Sequence, residues 1–280
     1  MSVIGLYEIP TVWLGLLVVG AFVAASLAGL WATRPLVRRF CRAQNDFANF
    51  FLATVAVFYA VLVGLIAVAC WGNYTAIAGI VSNEAVSASD VYRDVESYPP
   101  AVRDEVRGLL SAYVRHVIGD EWPTQRQGLV PSSKGDEILR RAGRDLATFE
   151  PATPGQQVLH GQTLRDLDDL FSNRRLRLEA VDSHLPRLMW LVVLAGAAIT
   201  IFMTYFFCAE SDRLHSLLTG ALGVLIGLVI FLILALDRPL VAQAGVDTRS
   251  FEGALSTMEG KARGTPTAGS TAGAARRSAS

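Results

Sequence analysis

Charge is absent from four long stretches of this 280-residue chain: Val12–Ala32, Phe47–Trp71, Leu188–Phe207 and Leu217–Leu236 hold no Asp, Glu, Lys or Arg. Cysteine is scarce. Cys41, Cys70 and Cys208 stand alone, which excludes a disulfide framework and any Cys-x-x-Cys metal set and leaves them as small buried apolar residues. The four histidines, His116, His160, His184 and His215, are scattered, with no His-x-x-x-His pair and no carboxylate–histidine constellation for hydrolysis. Lysine is almost missing: Lys134 and Lys261 are the only two among 25 basic residues, a bias that coding composition explains. The formal net charge is zero, which argues against a nucleic-acid partner. No metal, cofactor or catalytic set is expected, and the chain does not read as an enzyme.

What remains is apolar, with a mean hydropathy of +0.38. Each uncharged run spans roughly 20 to 25 residues, enough for a helix to cross the ~30 Å hydrocarbon layer. Inside that layer each backbone amide must be paired within its own segment, so the runs must be helices. Met1–Thr11 lacks Lys and Arg and the first run is too long for an h-region, so it is expected to stay in the membrane rather than be cleaved. The predicted fold is all-α: a multi-pass cell-membrane protein with four transmembrane helices in two pairs and a helical extramembrane domain between them.

The expected layout is a tail over 1–11, a first transmembrane pair over 12–71 (12–32 and 47–71), a helical domain over 72–187, a second pair over 188–236 (188–207 and 217–236), and a tail over 237–280. In the middle domain, Ile77, Ile80, Val81, Ala88, Val91, Tyr92 and Val95 recur at helical steps, which predicts that the second span continues beyond the membrane as one long helix. Val102 to Val117 carries a second amphipathic stripe after the break at Pro99-Pro100. Ile138, Leu139, Ala142, Leu146 and Phe149 mark a third. Leu159 through Leu185, a stripe that includes Leu167, Leu170 and Arg174, marks a fourth. Pro151, Pro154 and Gly155 separate these last two. Alternation suited to a strand is not found. From about Gly260 the chain is Ala, Gly, Ser, Thr and Arg without apolar periodicity, and is expected to be disordered.

Arginines crowd the first short link as Arg34, Arg38, Arg39 and Arg42, and Arg213 and His215 lie in the other. The positive-inside rule then puts both short links in the cytoplasm and the middle domain outside. Arg174, Arg175, Arg177 and Arg187, close to the third span, oppose this orientation.

Several residues stand out near or within the spans. Phe47, Phe51, Thr54 and Phe58 share one face of the second span at helical spacing; lipid contact or helix packing is the commoner use of such a stripe. Tyr59 is a polar aromatic in that span, able to hydrogen-bond across helices or to line a wet path. Asn45 and Asp46 precede the span, where capping of the first turn is their ordinary role. Asp237 and Arg238 follow the fourth span, where Pro239 stops the helix. Arg174, Arg175 and Arg177 could draw anions or headgroups, but Asp166, Asp168, Asp169, Glu179 and Asp182 offer pairing along the same helix. The small-residue rows Ala21/Ala25/Gly29, Gly196/Thr200/Thr204 and Gly223/Gly227 allow close helix approach, within a bundle or between subunits.

Gln44-Asn45-Asp46, Tyr59, Trp71, Tyr74, Glu84-Ala85, Tyr92-Arg93, Asp120-Glu121-Trp122-Pro123, Arg174-Arg175-Leu176-Arg177-Leu178, Leu185-Pro186, Trp190 and Leu236-Asp237-Arg238-Pro239 follow one another in this order. Over roughly Val12 to Leu240 the chain resembles the bacterial bestrophin-like four-span membrane proteins. More distantly it is similar to the bestrophins, pentameric anion channels with a comparable two-plus-two layout. That resemblance implies a homo-oligomer in a lipid bilayer with inorganic anions as candidate permeants. It implies that Phe47, Phe51, Thr54, Phe58 and Tyr59 are candidate pore or gate residues. Asn45, Asp46, Arg174, Arg175, Arg177, Asp237 and Arg238 are then candidate mouth or ion contacts. It also implies a cytoplasmic domain, against the arginine count.

Two function classes follow. The first is a passive conduit, favoured because ionisable residues inside spans, the usual mark of coupled pumps, are absent. The second is a non-conducting scaffold or sensor whose helical domain binds a partner. Conductance of the purified protein in planar bilayers separates them.

Overall fold

The structure is a computed structural model describing residues 10–37, 45–206 and 211–264, with the side chains of 36, 45–50, 52 and 261–264 left out. Cys41, Cys208, Arg38, Arg39, Arg42 and the tail beyond 264 lie outside the described residues. Helices α1 (Thr11–Val37), α2 (Asn45–Asp94), α3 (Pro100–His116), α4 (Trp122–Arg126), α5 (Lys134–Ala147), α6 (Pro154–Glu179), α7 (Arg187–Thr204), α8 (Asp212–Asp237) and α9 (Arg249–Gly264) follow in order. No strand occurs among the described residues. The described chain is therefore all-α, and α1, α2, α7 and α8 are long and apolar enough to cross a membrane. The helix begun in the second span does run on, unbroken for 50 residues. A 3-10 turn over Val95–Ser97 follows its end, Tyr98 is extended at ψ 161°, and Pro100, whose missing N–H costs nothing in a first turn, opens α3.

One compact unit takes the described residues of Met1–Gly79, Gln125–Leu129 and Glu179–Val246. Its core joins Leu14, Val18 and Leu30 of α1, Val63 and Cys70 of α2, Val193, Ala197 and Ile201 of α7, and Ile226, Ile230 and Ile233 of α8. Between helices in lipid, apolar burial supplies little drive, because lipid tails are as apolar as leucine; close backbone approach does more. Glycine makes that approach possible. A Cβ at Gly227 would sit 2.9 Å from Val19 Cα, and one at Gly223 would sit 2.6 Å from Ser26 Oγ and 3.2 Å from Val23 Cα. Gly29 likewise leaves room for the Tyr205 ring. These glycines serve packing inside the chain, a choice that sequence spacing leaves open.

Several hydroxyls in the spans bond back to their own helix, the partner that hydrocarbon leaves available, whereas Thr219 Oγ1 of α8 is buried with no partner among the described residues. Ser26 donates to the Val23 carbonyl at 2.9 Å and Thr200 to that of Gly196 at 2.8 Å. At the far end of α1, Arg34 Nη2 reaches the Asp212 carbonyl at 3.1 Å and its carboxylate at 3.5 Å, tying the end of α1 to the start of α8.

The second compact unit takes the described residues of Ile80–Thr124, Val130–Leu178 and Asp247–Ser280. Ala88 and Val91 of α2, Val95 of the 3-10 turn after it, Val106, Leu110 and Val114 of α3, Leu139, Ala142 and Leu146 of α5, and Leu167 and Leu170 of α6 are all buried. They fall on the stripes expected from periodicity. The C-terminal tail holds a helix that the sequence reading does not single out: α9 runs from Arg249 to Gly264. Its reason is a short stripe, Phe251, Ala254 and Met258, buried in this unit. Fully burying Phe251 and Met258 contributes on the order of 2 kcal/mol each, enough to fix a helix that is marginal alone. Tyr92 Oη adds a 2.9 Å hydrogen bond to the Met258 carbonyl, and Arg115 pairs with Glu259 at 2.9 Å.

The α1–α8 contact gives a direct test. Gly227→Leu places a side chain against the Val19 backbone and is expected to abolish recovery of folded protein. Gly20→Leu and Gly64→Leu, where nothing lies within 4 Å of the added Cβ, are expected to leave it unchanged. Gel filtration of the detergent-solubilised variants makes the comparison.

Candidate functional site

Five polar side chains meet inside the second unit, where an apolar core would be expected. Glu84 comes from α2, Tyr113 from α3, and Arg174 and Arg177 from α6. Glu121 comes from a π-helical turn, Val117–Glu121, that prolongs α3. All five are buried; Arg177 and Glu84 have no exposed surface. Each arrives there because it occupies a core position in its helix. Glu84 falls in step with Ile77, Val81, Ala88 and Val91. Arg174 and Arg177 fall in step with Leu167, Leu170 and Val181. The wider π turn carries Glu121 round to the same interior, a local irregularity often found at functional sites.

The two guanidiniums and two carboxylates pair as forks. Arg177 Nε donates to Glu84 Oε2 at 2.6 Å and its Nη2 to Glu84 Oε1 at 3.0 Å and to Glu121 Oε2 at 2.8 Å. Arg174 donates from Nη1 to Glu121 Oε2 at 2.8 Å and from Nη2 to Glu121 Oε1 at 2.7 Å. Its Nε reaches Asp136 of α5 at 3.2 Å. The Tyr113 hydroxyl donates to Glu84 and accepts from Arg174 Nη1 at 3.3 Å. Gly135 is required beside this group, because a Cβ there would meet Glu121 Oε1 and lie 2.6 Å from Arg174 Nη2. Phe251 of α9 closes one side, with the Arg177 guanidinium 5.8 Å from its ring centre.

The four central charges cancel, which allows them to be buried at all. Burial disfavours ionisation of Glu121, but the hydrogen bonds and charges of Arg174 and Arg177 outweigh it and hold the carboxyl below its ordinary range. Burial likewise works against charge on Arg177, yet Glu84 more than compensates and keeps it firmly cationic. Tyr113 is pushed well up, by burial first and by the Glu84 charge second, so it stays a neutral donor. The sign for Glu121 follows: a depressed folded value gives stability that is present above the unfolded value and is lost as the pH falls through the folded one.

The residues singled out from sequence separate into three places. Phe51 and Phe58 lie on a face of α2 that is open in the single chain, 49% and 73% exposed, with Thr54 between them. Asn45, Asp46 and Phe47 begin the same helix, and their side chains lie outside the described ones. Tyr59 does not share the phenylalanine face. Its position, a hundred degrees round from Phe58, turns it onto α7, where a Cβ on Gly196 would be 2.6 Å from its ring. Arg174 and Arg177 do not pair along their own helix, as the neighbouring acids suggest; both are enclosed by carboxylates from other helices. Arg175 lies on the opposite, exposed side of α6.

Asp237 is a buried anchor rather than a solvent contact. Its Oδ1 accepts the Leu185 N–H at 2.6 Å and its Oδ2 the Trp190 indole N–H at 3.4 Å, which holds the approach to α7. Arg238 is half-buried; its carbonyl accepts the N–H of Val241 at 3.1 Å and of Ala242 at 2.9 Å, turning the chain after α8. The partners of the buried arginines, Glu84, Tyr113 and Glu121, escape a reading that ranks sites by motif. The available signal was charge of opposite sign at apolar-stripe positions of two helices.

Removing one partner strands the others in the core, at a cost of about 3–5 kcal/mol. Arg177→Ala is therefore expected to lower the thermal midpoint severely. Arg177→Lys should recover only part of it, since one ammonium cannot span Glu84 and Glu121 in the guanidinium's planar geometry. Differential scanning fluorimetry of the solubilised protein reads both.

Comparison with known proteins agrees with this architecture. A family model described as a Bestrophin-like domain matches residues 20–251. The chain therefore belongs to the bestrophin-like family. No curated protein sequence matches it. Among solved structures, a bacterial bestrophin homologue from Klebsiella pneumoniae is 14% identical with a TM-score of 0.67, over 88% of this chain and 98% of that one. A single-substitution variant of the Klebsiella pneumoniae homologue is 12% identical with a TM-score of 0.68, over 88% and 99%. At such identity the likeness carries the fold.

Proposed function

We propose that this bestrophin-like protein is one subunit of a homo-oligomeric passive conduit in the membrane, with inorganic anions as the candidate permeants. One observation carries the reading: α2 is used on one side only. Tyr59, Val63, Ile66, Cys70 and Tyr74 pack into the bundle, whereas Phe51, Val57, Phe58, Val61, Leu65 and Val68 face outward from it. Apart from Thr54, the described large side chains of this outward face are apolar or aromatic. Four spans are too few to enclose an ion path, so a conduit needs several copies, each lending one helix to the axis. With α2 in that role, Phe47, Phe51, Thr54 and Phe58 form stacked rings that gate by dewetting. Asn45 and Asp46 stand at one mouth of the same path. A ring of Asp46 carboxylates favours cations, so the sign of the permeant is left to the reversal potential under a salt gradient.

Phe51→Ala and Phe58→Ala are expected to raise conductance in planar bilayers by widening and wetting the constriction. A strictly monomeric particle in mild detergent, or no conductance in either polarity from wild type and variants, would favour the scaffold reading.

The arginine-rich first link supports an orientation with Gly72–Arg187 outside the cytoplasm. A cysteine at the exposed Gln127, in a protein freed of Cys41, Cys70 and Cys208, is then expected to react with an impermeant thiol reagent on intact cells. Labelling only after lysis would reverse the orientation.

A further inference from the structure

Between α1 and α7 the membrane unit leaves a groove of about 520 Å³, within the roughly 300–1,000 Å³ usual for small-molecule sites. Its walls include Phe22, Ala25 and Ser26 of α1, Leu194 and Ala198 of α7, and Tyr205 just past the end of α7. The lining side chains are apolar except for two hydroxyls. Ser26 is satisfied within its own helix, donating to the Val23 carbonyl at 2.9 Å. Tyr205 is not satisfied. It is 8% exposed, and its hydroxyl has no hydrogen-bond partner among the described residues. Gly29 makes the place for that hydroxyl, because a Cβ there would overlap it. A buried O–H donor left unpaired is costly, and hydrocarbon supplies no water to pair it.

The dimensions narrow the occupant. Along α7 the groove runs from Leu194 to Tyr205, about 16 Å at 1.5 Å per residue and close to half of the ~30 Å hydrocarbon layer. It therefore spans one leaflet, the reach of one acyl chain. Spread over that length, 520 Å³ gives a cross-section of about 30 Å², room for a single hydrocarbon chain and too narrow for a helix about 10 Å across. Tyr205 stands at the polar end. His215, in the first turn of α8, donates from Nε2 to the neighbouring Thr204 carbonyl at 3.0 Å. Asp212 in that same turn pairs with Arg34 at 3.5 Å. Charged groups of this kind lie at headgroup level, and a tyrosine beside them reaches the interface with its hydroxyl.

We propose that this groove is a phospholipid site: one acyl chain lies between α1 and α7, and its ester carbonyl accepts the Tyr205 O–H. The site belongs to the membrane unit alone and stands independently of conduction.

Photolabelling of the full-length protein in vesicles tests this. The probe is a phosphatidylcholine with a diazirine midway along one acyl chain, diluted into dioleoyl phosphatidylcholine. Peptide mapping is expected to find the label concentrated on residues 22–26 and 194–205. Ala198→Trp, at an exposed position of the groove wall, should abolish that labelling. Tyr205→Phe should cut it several-fold and leave the thermal midpoint in lipid-free detergent unchanged, since the hydroxyl has no partner within the protein. Label spread evenly over the outward faces of the four spans, insensitive to both substitutions, would reduce the groove to ordinary bilayer contact and overturn the site. A diazirine fatty acid that labels the groove and resists displacement by excess phosphatidylcholine would overturn it in favour of a free acid. Disulfide cross-linking of Ala198→Cys between copies would overturn it in favour of a neighbouring subunit.

Discussion

The helical unit depends on a neutral, four-charge core. Arg174 and Arg177 on α6 bind Glu84 on α2 and Glu121 after α3, with Tyr113 between them. Such a cluster is a poor source of net stability, since well-packed hydrophobic residues of similar volume often do as well. What it provides is a fixed register. Each guanidinium fork accepts its carboxylates in few geometries, so a slide or rotation of one helix would leave a charge unpaired in the core. The π turn at Val117–Glu121, the room left by Gly135 and the covering ring of Phe251 all serve that one arrangement.

The membrane unit obeys a different constraint. Lipid offers no hydrophobic advantage to packing one apolar helix on another, so contact is set by where backbones can approach. Gly223 and Gly227 bring α8 onto α1, Gly29 receives Tyr205, and Gly196 receives Tyr59. Tyr59 and Phe58 are neighbours in sequence and differ in fate for this reason. Tyr59 meets a helix with a missing side chain, while Phe58 meets none and stays 73% exposed. An outward face built this way is free for lipid or for further copies of the chain, and the conduit reading rests on the second.

Charged residues in this protein differ in use according to what surrounds them. Arg174 and Arg175 are adjacent, yet one is enclosed by carboxylates and the other faces outward. Asp237 ends a span and is buried, where it accepts two N–H groups at the approach to α7. In each case the helix position, not the residue type, sets the role.

The helical class, the four spans, the long second helix, its break before Pro99-Pro100 and the family are legible in the sequence. These follow from period, length and proline position, all local along the chain. It does not single out α9 within the tail, because the stripe of Phe251, Ala254 and Met258 is short and is stabilised only by the core it enters. It left undecided whether the small residues serve one chain or several. It leaves open whether Tyr59 packs across helices or lines a wet path, and it offers Arg174 and Arg177 partners on their own helix. These points turn on tertiary contact, because a side chain's partner is set by which helix faces it. Glu84 and Arg177 are 93 residues apart, and no periodicity within one helix can report a contact made across that distance.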